Sequence, residues 1–215
     1  MEDREMPAPR WLLPFVGTLA LATCSSTVLA AEASRDQSEW PCVQHKVDRL
    51  SSAQMWDGPP VEDLTGWRED KSIQKLVPVL TSRRVPIDDA RKAIDDFAQS
   101  LPEEQRDQKL KLLFAAVLDA TNRDRAVVMA GIERFQRRQR ERAVAIEKQS
   151  AELRDLRASK DVSPAKVAEA QQAYDWAVRV FSERQQAIPL ACEVPVLIEQ
   201  RLFAIAQEIR ARMTE

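Results

Sequence analysis

The chain has 215 residues, enough for one ordinary domain, and only four of them are glycine. Charged residues make up 31% of the chain, and 32 Lys and Arg nearly balance 34 Asp and Glu, which gives a formal net charge of −2. This composition is typical of a helical protein and excludes collagen-like, low-complexity and polytopic membrane proteins. The near-zero net charge also removes a global electrostatic reason to expect nucleic acid as a partner.

The amino-terminal segment predicts export. Residues 11–30 contain no charged residue and follow Arg10, and the small side chains of Val28 and Ala30 precede a possible cleavage point. We therefore predict a signal peptide over residues 1–30 and a mature chain that is periplasmic or secreted.

Two other interpretations of this segment stay open. An uncleaved segment would anchor the protein in the membrane facing the periplasm, although Pro14 and Gly17 weaken a permanent span. Lipid attachment at Cys24 is the second, because the four residues that end there loosely resemble a bacterial lipobox. Thr23 fits that pattern poorly, and the apolar run continues past the cysteine.

The mature chain keeps two cysteines, Cys42 and Cys192, near its two ends. In an oxidising compartment such a pair most simply forms one disulfide. Closing a loop of this length would stabilise the fold by about 5 kcal/mol in the chain-entropy model. A redox-active pair would instead need a close Cys-x-x-Cys, which the sequence lacks.

Residues 31–70 are predicted to form an irregular segment that we call the strap. They show no sustained hydrophobic period and are interrupted by proline and glycine. Trp40, Trp56 and Trp67 lie in this segment, so we expect the strap to lie across a helical core and to be held there by Cys42. The tryptophans either fill gaps between helices or form an aromatic ligand pocket.

Residues 71–215 are predicted to be helical. Apolar residues between Ile73 and Leu80 recur at three- and four-residue steps, and Pro78 should bend or shorten this first helix. A second helix begins at Pro86, since proline suits a first helical position.

Ser100 and Glu103 have the spacing of a capping box, which predicts that a third helix begins there. Around Thr121 to Asp124 the sequence leaves open whether this helix breaks or continues. A long helical run then follows to about Ser159. One line of side chains along this run, which we call the seam, advances by alternating steps of four and three residues, as in a coiled coil. The seam passes through Val128, Ile132, Phe135, Gln139, Arg142, Ile146, Gln149, Leu153 and Leu156.

Between Gln136 and Arg142 this run has no apolar residue, so we expect the stretch to lie outside a globular core. Ser163 and Pro164 form a good N-cap and first-turn pair for a returning helix. Its apolar residues match the seam in register if the two helices pair antiparallel. We call this predicted hairpin, residues 136–188, the arm.

Pro189 and Pro195 are expected to bracket a connector that holds Cys192, before a last helix. The predicted fold class is therefore all-α. A helical bundle base, formed by residues 71–135 and 195–213, carries a projecting antiparallel two-helix hairpin and the irregular strap. The competing geometry is a bent bundle in which the arm folds back onto the base.

No pattern in the sequence names a reaction. His45 is the single histidine, so no Ser-His-Asp or Cys-His arrangement can be built without it. Cys42, His45 and Met55 would supply at most part of a metal site. The acidic clusters are typical of helix starts and solvated faces rather than of a glycosidase pair. We therefore lean away from an enzyme and predict no cofactor and no metal.

The arginine run is the most unusual local feature. Arg134, Arg137, Arg138, Arg140 and Arg142 occupy five of nine positions, and three of them are spaced by four residues along one helix face. Like charges at this spacing repel by a few tenths of a kcal/mol per pair. The run is either a binding site for an acidic partner or lipid headgroups, or a solvated face whose side-chain stems cover apolar neighbours.

Two functions of different class follow. The first is an exported, non-enzymatic helical interaction or scaffold protein of the bacterial periplasm, which docks an envelope partner through Arg134, Arg137, Arg138 and Arg142. The alternative is a small-ligand-binding or enzymatic module, with a pocket formed by Trp40, Trp56 and Trp67 and an acid of perturbed pKa. Contact with a membrane surface and self-association through the arm are compatible with either function.

Overall fold

The computed structural model describes residues 39–214. The predicted signal peptide and the possible lipid attachment at Cys24 lie outside the described residues. Between residues 39 and 214 the chain is helical without a strand, which confirms the all-α fold class. A short 3-10 helix covers Gly66–Arg68, and the α-helices are α1 (Ser52–Met55), α2 (Lys71–Thr81), α3 (Ile87–Gln99), α4 (Glu103–Ala158), α5 (Pro164–Gln186) and α6 (Ile188–Ala211).

Helix α2 is fixed at both ends by side chains. At its start the Asp70 carboxylate accepts hydrogen bonds from the backbone amides of Ser72 and Ile73, at 2.9 and 3.2 Å. At its end Arg201 of α6 donates to the carbonyl oxygen of Leu80, at 2.6 Å. Helix ends leave backbone groups without helical partners, and these side chains satisfy several of them. The helix continues for three residues beyond Pro78, which lies on its exposed side.

The boundary between α3 and α4 differs from the predicted capping box. Ser100 ends α3, and its hydroxyl donates to the carbonyl oxygen of Phe97 at 2.7 Å. Pro102 stands immediately before Glu103, the first residue of α4, and makes no side-chain cap. The serine therefore serves the preceding helix, because the carbonyl groups at the end of α3 need a donor.

Helix α4 passes through Thr121 to Asp124 without a break and contains 56 residues, which makes it about 84 Å long. The early part of α4 packs into the core of the base together with α2, α3 and the end of α6. The largest apolar side chains in this core are almost fully buried: Ile73, Leu80, Ile94, Leu110, Leu113, Phe114, Val117, Leu202, Ile205 and Ile209.

The expected connector around Cys192 does not form. Helix α6 begins at Ile188, has Pro189 in its first turn, and continues through both Cys192 and Pro195. Proline is tolerated in a first turn because the amide it lacks has no helical partner there. The two prolines therefore fall within one helix instead of bracketing a loop.

Helices α4 and α5 run antiparallel. The Arg157 side chain donates to Gln171 near the turn, and the Gln139 amide donates to the carbonyl oxygen of Phe181, at 3.4 Å, further from the turn. The connecting turn ends at Ser163, whose hydroxyl caps α5 by accepting from the backbone amide of Lys166. No residue of α5 is buried, so this helix is covered along one side only.

The strap covers the core with one tryptophan. Trp56 stacks on Phe114 with the ring centres 4.3 Å apart, and its indole N–H donates to the carbonyl oxygen of Pro59 at 2.8 Å. Gly58 lies so close that a Cβ there would come within 2.4 Å of the indole ring. The chain can therefore turn over this ring only with glycine at position 58.

Asp70 links the start of α2 to α4, because Lys109 donates to its carboxylate. Burial raises the pKa of Asp70, but the hydrogen bonds from Lys109, Ser72 and two backbone amides outweigh burial and lower the pKa to about 2. The Asp70 side chain is 11% exposed. A native pKa below the unfolded value gives stability that is fully present above about pH 4 and is lost as the pH falls towards 2.

We predict that Asp70→Asn lowers the free energy of unfolding by about 2 kcal/mol at pH 7, since asparagine can still cap α2 but cannot pair with Lys109. Urea unfolding between pH 7 and pH 2 measures this, and the gap between wild type and variant should close as the pH falls from about 4 to 2. Asp63→Asn, at an exposed acid of the strap, is the matched control and should change little. A gap that is independent of pH would contradict the role of the ionised carboxylate.

Candidate functional site: the arm and its root

The arginine run lies on α4 around residue 136, where the segment that we call the arm begins, and we call this region the root of the arm. Arg134 and Arg138 are exposed, and neither pairs with an acidic side chain within residues 39–214. Arg137 is exposed too, but its guanidinium donates to the Glu39 carboxylate at 3.1 and 3.3 Å. Arg142 is half-buried and donates to the side-chain oxygen of Gln139 at 3.0 Å. The predicted docking residues therefore differ in availability, and Arg134 and Arg138 are the two that face solvent unpaired.

Charged residues of the strap form ion pairs with α4 at the root of the arm. Arg137 holds the pKa of Glu39 below its ordinary value by hydrogen bonding and charge. Lys46 pairs with Glu133 at 2.7 Å, and this hydrogen bond raises the pKa of Lys46. Glu133 and Arg137 lie four residues apart on α4, and each of them pairs with a residue of the strap. Ion pairs that solvent can reach contribute little to stability, so these two pairs position the strap more than they stabilise it.

The disulfide is present and confirms the predicted pairing. Cys42 of the strap is bonded to Cys192 of α6, with their Cα atoms 5.5 Å apart. Beside it, the Gln44 side chain donates to the carbonyl oxygen of Cys192. Trp40 lies in the same place, where its indole N–H donates to the carbonyl oxygen of Gln44 at 2.7 Å. The strap is thus fastened covalently to α6 a few residues after the arm ends.

Further along, the strap backbone is held by polar side chains of α4. Asn122 is buried. Its side-chain oxygen accepts a hydrogen bond from the backbone N–H of Leu50 at 2.8 Å, and its side-chain nitrogen donates to the carbonyl oxygen of Leu50 at 3.0 Å. Arg125, whose side chain is 4% exposed, donates to the carbonyl oxygen of Val47 and pairs with Glu199 of α6 at 2.7 Å. Arg125 therefore joins three segments: the strap, α4 and α6.

The interface between the two helices of the arm is partly polar. Gln139 is 1% exposed, although the stretch around it has no apolar residue and is expected to lie outside a globular core. The side-chain oxygens of Gln136 and Gln149 are buried and have no hydrogen-bond partner within the described chain. Buried polar groups without partners cost free energy. The arm is therefore held together less tightly than the base.

Trp176 is the residue that sequence reasoning missed. It lies on α5, its exposed fraction is 64%, and it borders an open depression formed by α5 alone. Tyr174 and Ala177 belong to the apolar positions of α5 that match the predicted seam, so position 176 falls on the outer side of the helix. The sequence therefore did contain a signal for this residue. A large aromatic side chain that lies away from the seam cannot pack between the two helices of the arm.

The three tryptophans of the strap do not line one cavity. Trp40 is beside the disulfide, and Trp56 is buried against Phe114. Trp67 is half-buried and borders a cleft of about 290 Å³ between the strap and α4, with the Arg68 guanidinium 5.0 Å from its ring centre. Glu62 also borders this cleft, which has Trp67 as its only tryptophan.

Glu62 is the acid of this cleft. The hydroxyl of Ser52 and the backbone amide of Val61 donate to its carboxylate, and these bonds lower the pKa of Glu62. Arg49 pairs with Asp119 across another part of the same cleft, at 3.5 Å. A carboxylate with a lowered pKa stays ionised at neutral pH, so it suits electrostatic binding and does not suit proton donation.

The described residues offer no metal centre. Cys42 is consumed by the disulfide and His45 is exposed, so the partial site around these residues lacks its thiolate. Within residues 39–214 no group of three or more His, Cys, Asp or Glu side chains is placed to hold a metal ion. In the same range, the helices are too short or too polar to cross a membrane.

No family model matches the chain, no curated protein matches its sequence, and no solved structure matches its fold.

We predict that removing the disulfide loosens the strap first. The double variant Cys42→Ser and Cys192→Ser should lower the free energy of unfolding by up to about 5 kcal/mol, because the unfolded chain regains the freedom of a loop that spans 150 residues. Hydrogen exchange should increase over residues 39–50, while the helical circular dichroism signal is kept.

The matched control is Glu39→Gln, which removes the exposed pair with Arg137 and keeps the disulfide. This variant should lower the free energy of unfolding far less than the double serine variant does, because an exposed ion pair contributes little. Equal stability and equal strap protection in the double serine variant and the wild type would show that the disulfide does not hold the strap.

Proposed function

We propose that the protein is an exported, non-enzymatic helical interaction or scaffold protein of the bacterial periplasm, and that its arm docks a partner protein. The observation that carries this proposal is the exposed Trp176 on the outer side of the arm. Tryptophan and arginine are the side chains that most often dominate the binding energy of protein interfaces. The arm presents both kinds.

Two features of the arm define the partner. Trp176 offers a large apolar surface that a pocket on the partner would cover. Arg134 and Arg138 offer two exposed positive charges at the root, and an acidic patch on the partner would complement them. We therefore expect a protein partner with an acidic surface and an apolar pocket, and we assign the docking role to Arg134, Arg138 and Trp176, with Arg137 and Arg142 shaping the site.

The contacts that the strap makes at the root of the arm are also consistent with a docking function. The strap is joined to α4 by ion pairs and to α6 by a disulfide. Three segments, the strap, α4 and α6, therefore hold the root of the arm. A surface that binds a partner gains affinity when it does not have to be ordered on binding. The disulfide also favours an oxidising compartment, which supports export.

The test is a quantitative pull-down from envelope extract with the tagged wild type and two arm variants, Trp176→Ala and Arg134→Glu with Arg138→Glu. We predict that a specific partner is recovered with the wild type and is reduced at least tenfold with either variant, because loss of a hot-spot residue costs about 2 kcal/mol or more. Binding should also weaken with added salt, since the arginines are exposed.

The matched control carries Lys75→Glu and Arg84→Glu, which reverse two exposed charges of the base. It has the same change in net charge as the double arginine variant and should retain the partner. Recovery of the same partners by all four proteins would contradict docking through the arm.

The cleft beside Trp67 supports a second candidate function, the binding of a small ligand. Its volume of about 290 Å³, its half-buried indole and the ionised Glu62 would suit a compact molecule with an apolar part and a positive group. In this alternative the strap is a wall of the binding site.

Tryptophan fluorescence tests the alternative directly. With a panel of metabolites and metal ions, we predict saturable quenching that disappears in Trp67→Phe and persists in Trp176→Phe, because only Trp67 borders the cleft. A flat response across the panel would remove this candidate.

A further inference from the structure

The outer face of α6 is a second apolar surface, separate from the arm. The inner face of this helix is buried in the base, through residues such as Leu202 and Ile209. Within residues 39–214, eleven large apolar side chains are exposed, and five of these belong to the outer face and the strap residue beside it: Val43, Leu190, Val196, Leu197 and Phe203. Nearly half of the exposed apolar side chains are therefore gathered in one place.

These residues form a continuous surface. Val43, Val196 and Leu197 line a groove of about 430 Å³ between the strap and α6. Leu190 precedes Leu197 by seven residues, and Phe203 follows Val196 by seven, so each extends the same side of the helix by two turns. Val43 is fully exposed beside the disulfide.

The order of residues along this face is symmetric. Reading outward from the point between Val196 and Leu197, each direction meets a polar residue after three positions and an apolar residue after three more. The polar residues, Glu193 and Gln200, are exposed. A sequence of side chains that reads the same in both directions fits a copy of itself that runs antiparallel.

We propose that the outer face of α6 binds a second copy of this chain, with the two α6 helices antiparallel across a two-fold axis that passes between Val196 and Leu197. In such an interface the same patch serves both subunits, so it must complement itself. The axis brings Val196 level with Leu197 of the partner subunit, and the apolar centre is thereby covered.

The charges favour the same register. With the axis at this point, Glu193 lies level with Gln200 of the partner subunit, and the amide can donate to the carboxylate. A parallel pair in register would instead bring Glu193 close to the partner subunit's Glu193, where two like charges repel. Self-complementarity of polar and apolar residues therefore selects the antiparallel arrangement.

The size of the surface sets the expected affinity. The face from Leu190 to Phe203 is about 20 Å long, and the strap adds Val43 at its side. Specific interfaces commonly bury about 800 Å² per partner. A single helix face with one strap residue lies at the lower end of that class, so we expect a dimer that dissociates on dilution and leaves both arms available.

Sedimentation equilibrium of the purified wild-type protein over a range of concentrations tests the proposal. We expect a reversible dimer, and we expect Leu197→Glu to remain monomeric at concentrations where the wild type is dimeric. The matched control is Val144→Glu, which adds the same charge at an exposed valine of the arm and should dimerise as the wild type does. Both altered side chains are exposed, so the fold should be kept, and circular dichroism checks this.

A second pair of variants tests the register. Gln200→Lys should tighten the dimer several-fold by pairing with the partner subunit's Glu193, and Gln200→Glu should weaken it several-fold. Trp176→Ala and the double arginine variant should dimerise normally, which separates this interface from docking by the arm. A wild-type protein that stays monomeric at every concentration, or a dimer indifferent to Leu197→Glu and to both changes at Gln200, would overturn the proposal.

Discussion

The strap can lie against the helices only because α4 supplies hydrogen-bonding partners to its irregular backbone. A chain without helical or strand pairing exposes amide and carbonyl groups, and burying them without partners is costly. Asn122 satisfies both backbone groups of Leu50, and Arg125 satisfies the carbonyl of Val47. These contacts let the segment around Leu50 be buried, and they fix where the rest of the strap reaches the root of the arm.

The contacts of the strap follow one direction. From Glu39 to Leu50 its partners on α4 run backwards from Arg137 to Asn122, so the strap lies antiparallel to α4. One helix thus contributes to the core of the base, then holds the strap, and then forms half of the arm. Because α4 does not break, the arm, the contacts to the strap and the core of the base share one continuous helix, and the disulfide joins the strap to α6.

The hydrophobic pattern was enough to predict an all-α fold, and cysteine counting was enough to predict the disulfide. The ambiguity at Thr121 to Asp124 has a physical explanation: Asn122 is a poor helix former when considered alone, and only the position of Leu50, 72 residues earlier, shows why it is there. Similarly, Pro189 favours a break as readily as a helix start, and only packing decides. Trp176 was missed because the seam identifies only residues that pack between the two helices of the arm, and Trp176 does not pack there.

The placement of the disulfide also constrains the order in which the molecule can be completed. Synthesis proceeds from the amino terminus, so Cys42 is made first and remains a thiol until Cys192, 150 positions later, has been added. Helices α2 to α5 all precede Cys192 in the chain, whereas the core of the base also needs residues of α6 that follow it, such as Leu202 and Ile209. Among the described segments the strap is therefore made first, and its covalent link to α6 cannot form until Cys192 has been added. A chain that stops before α6 lacks the sulfur with which Cys42 pairs.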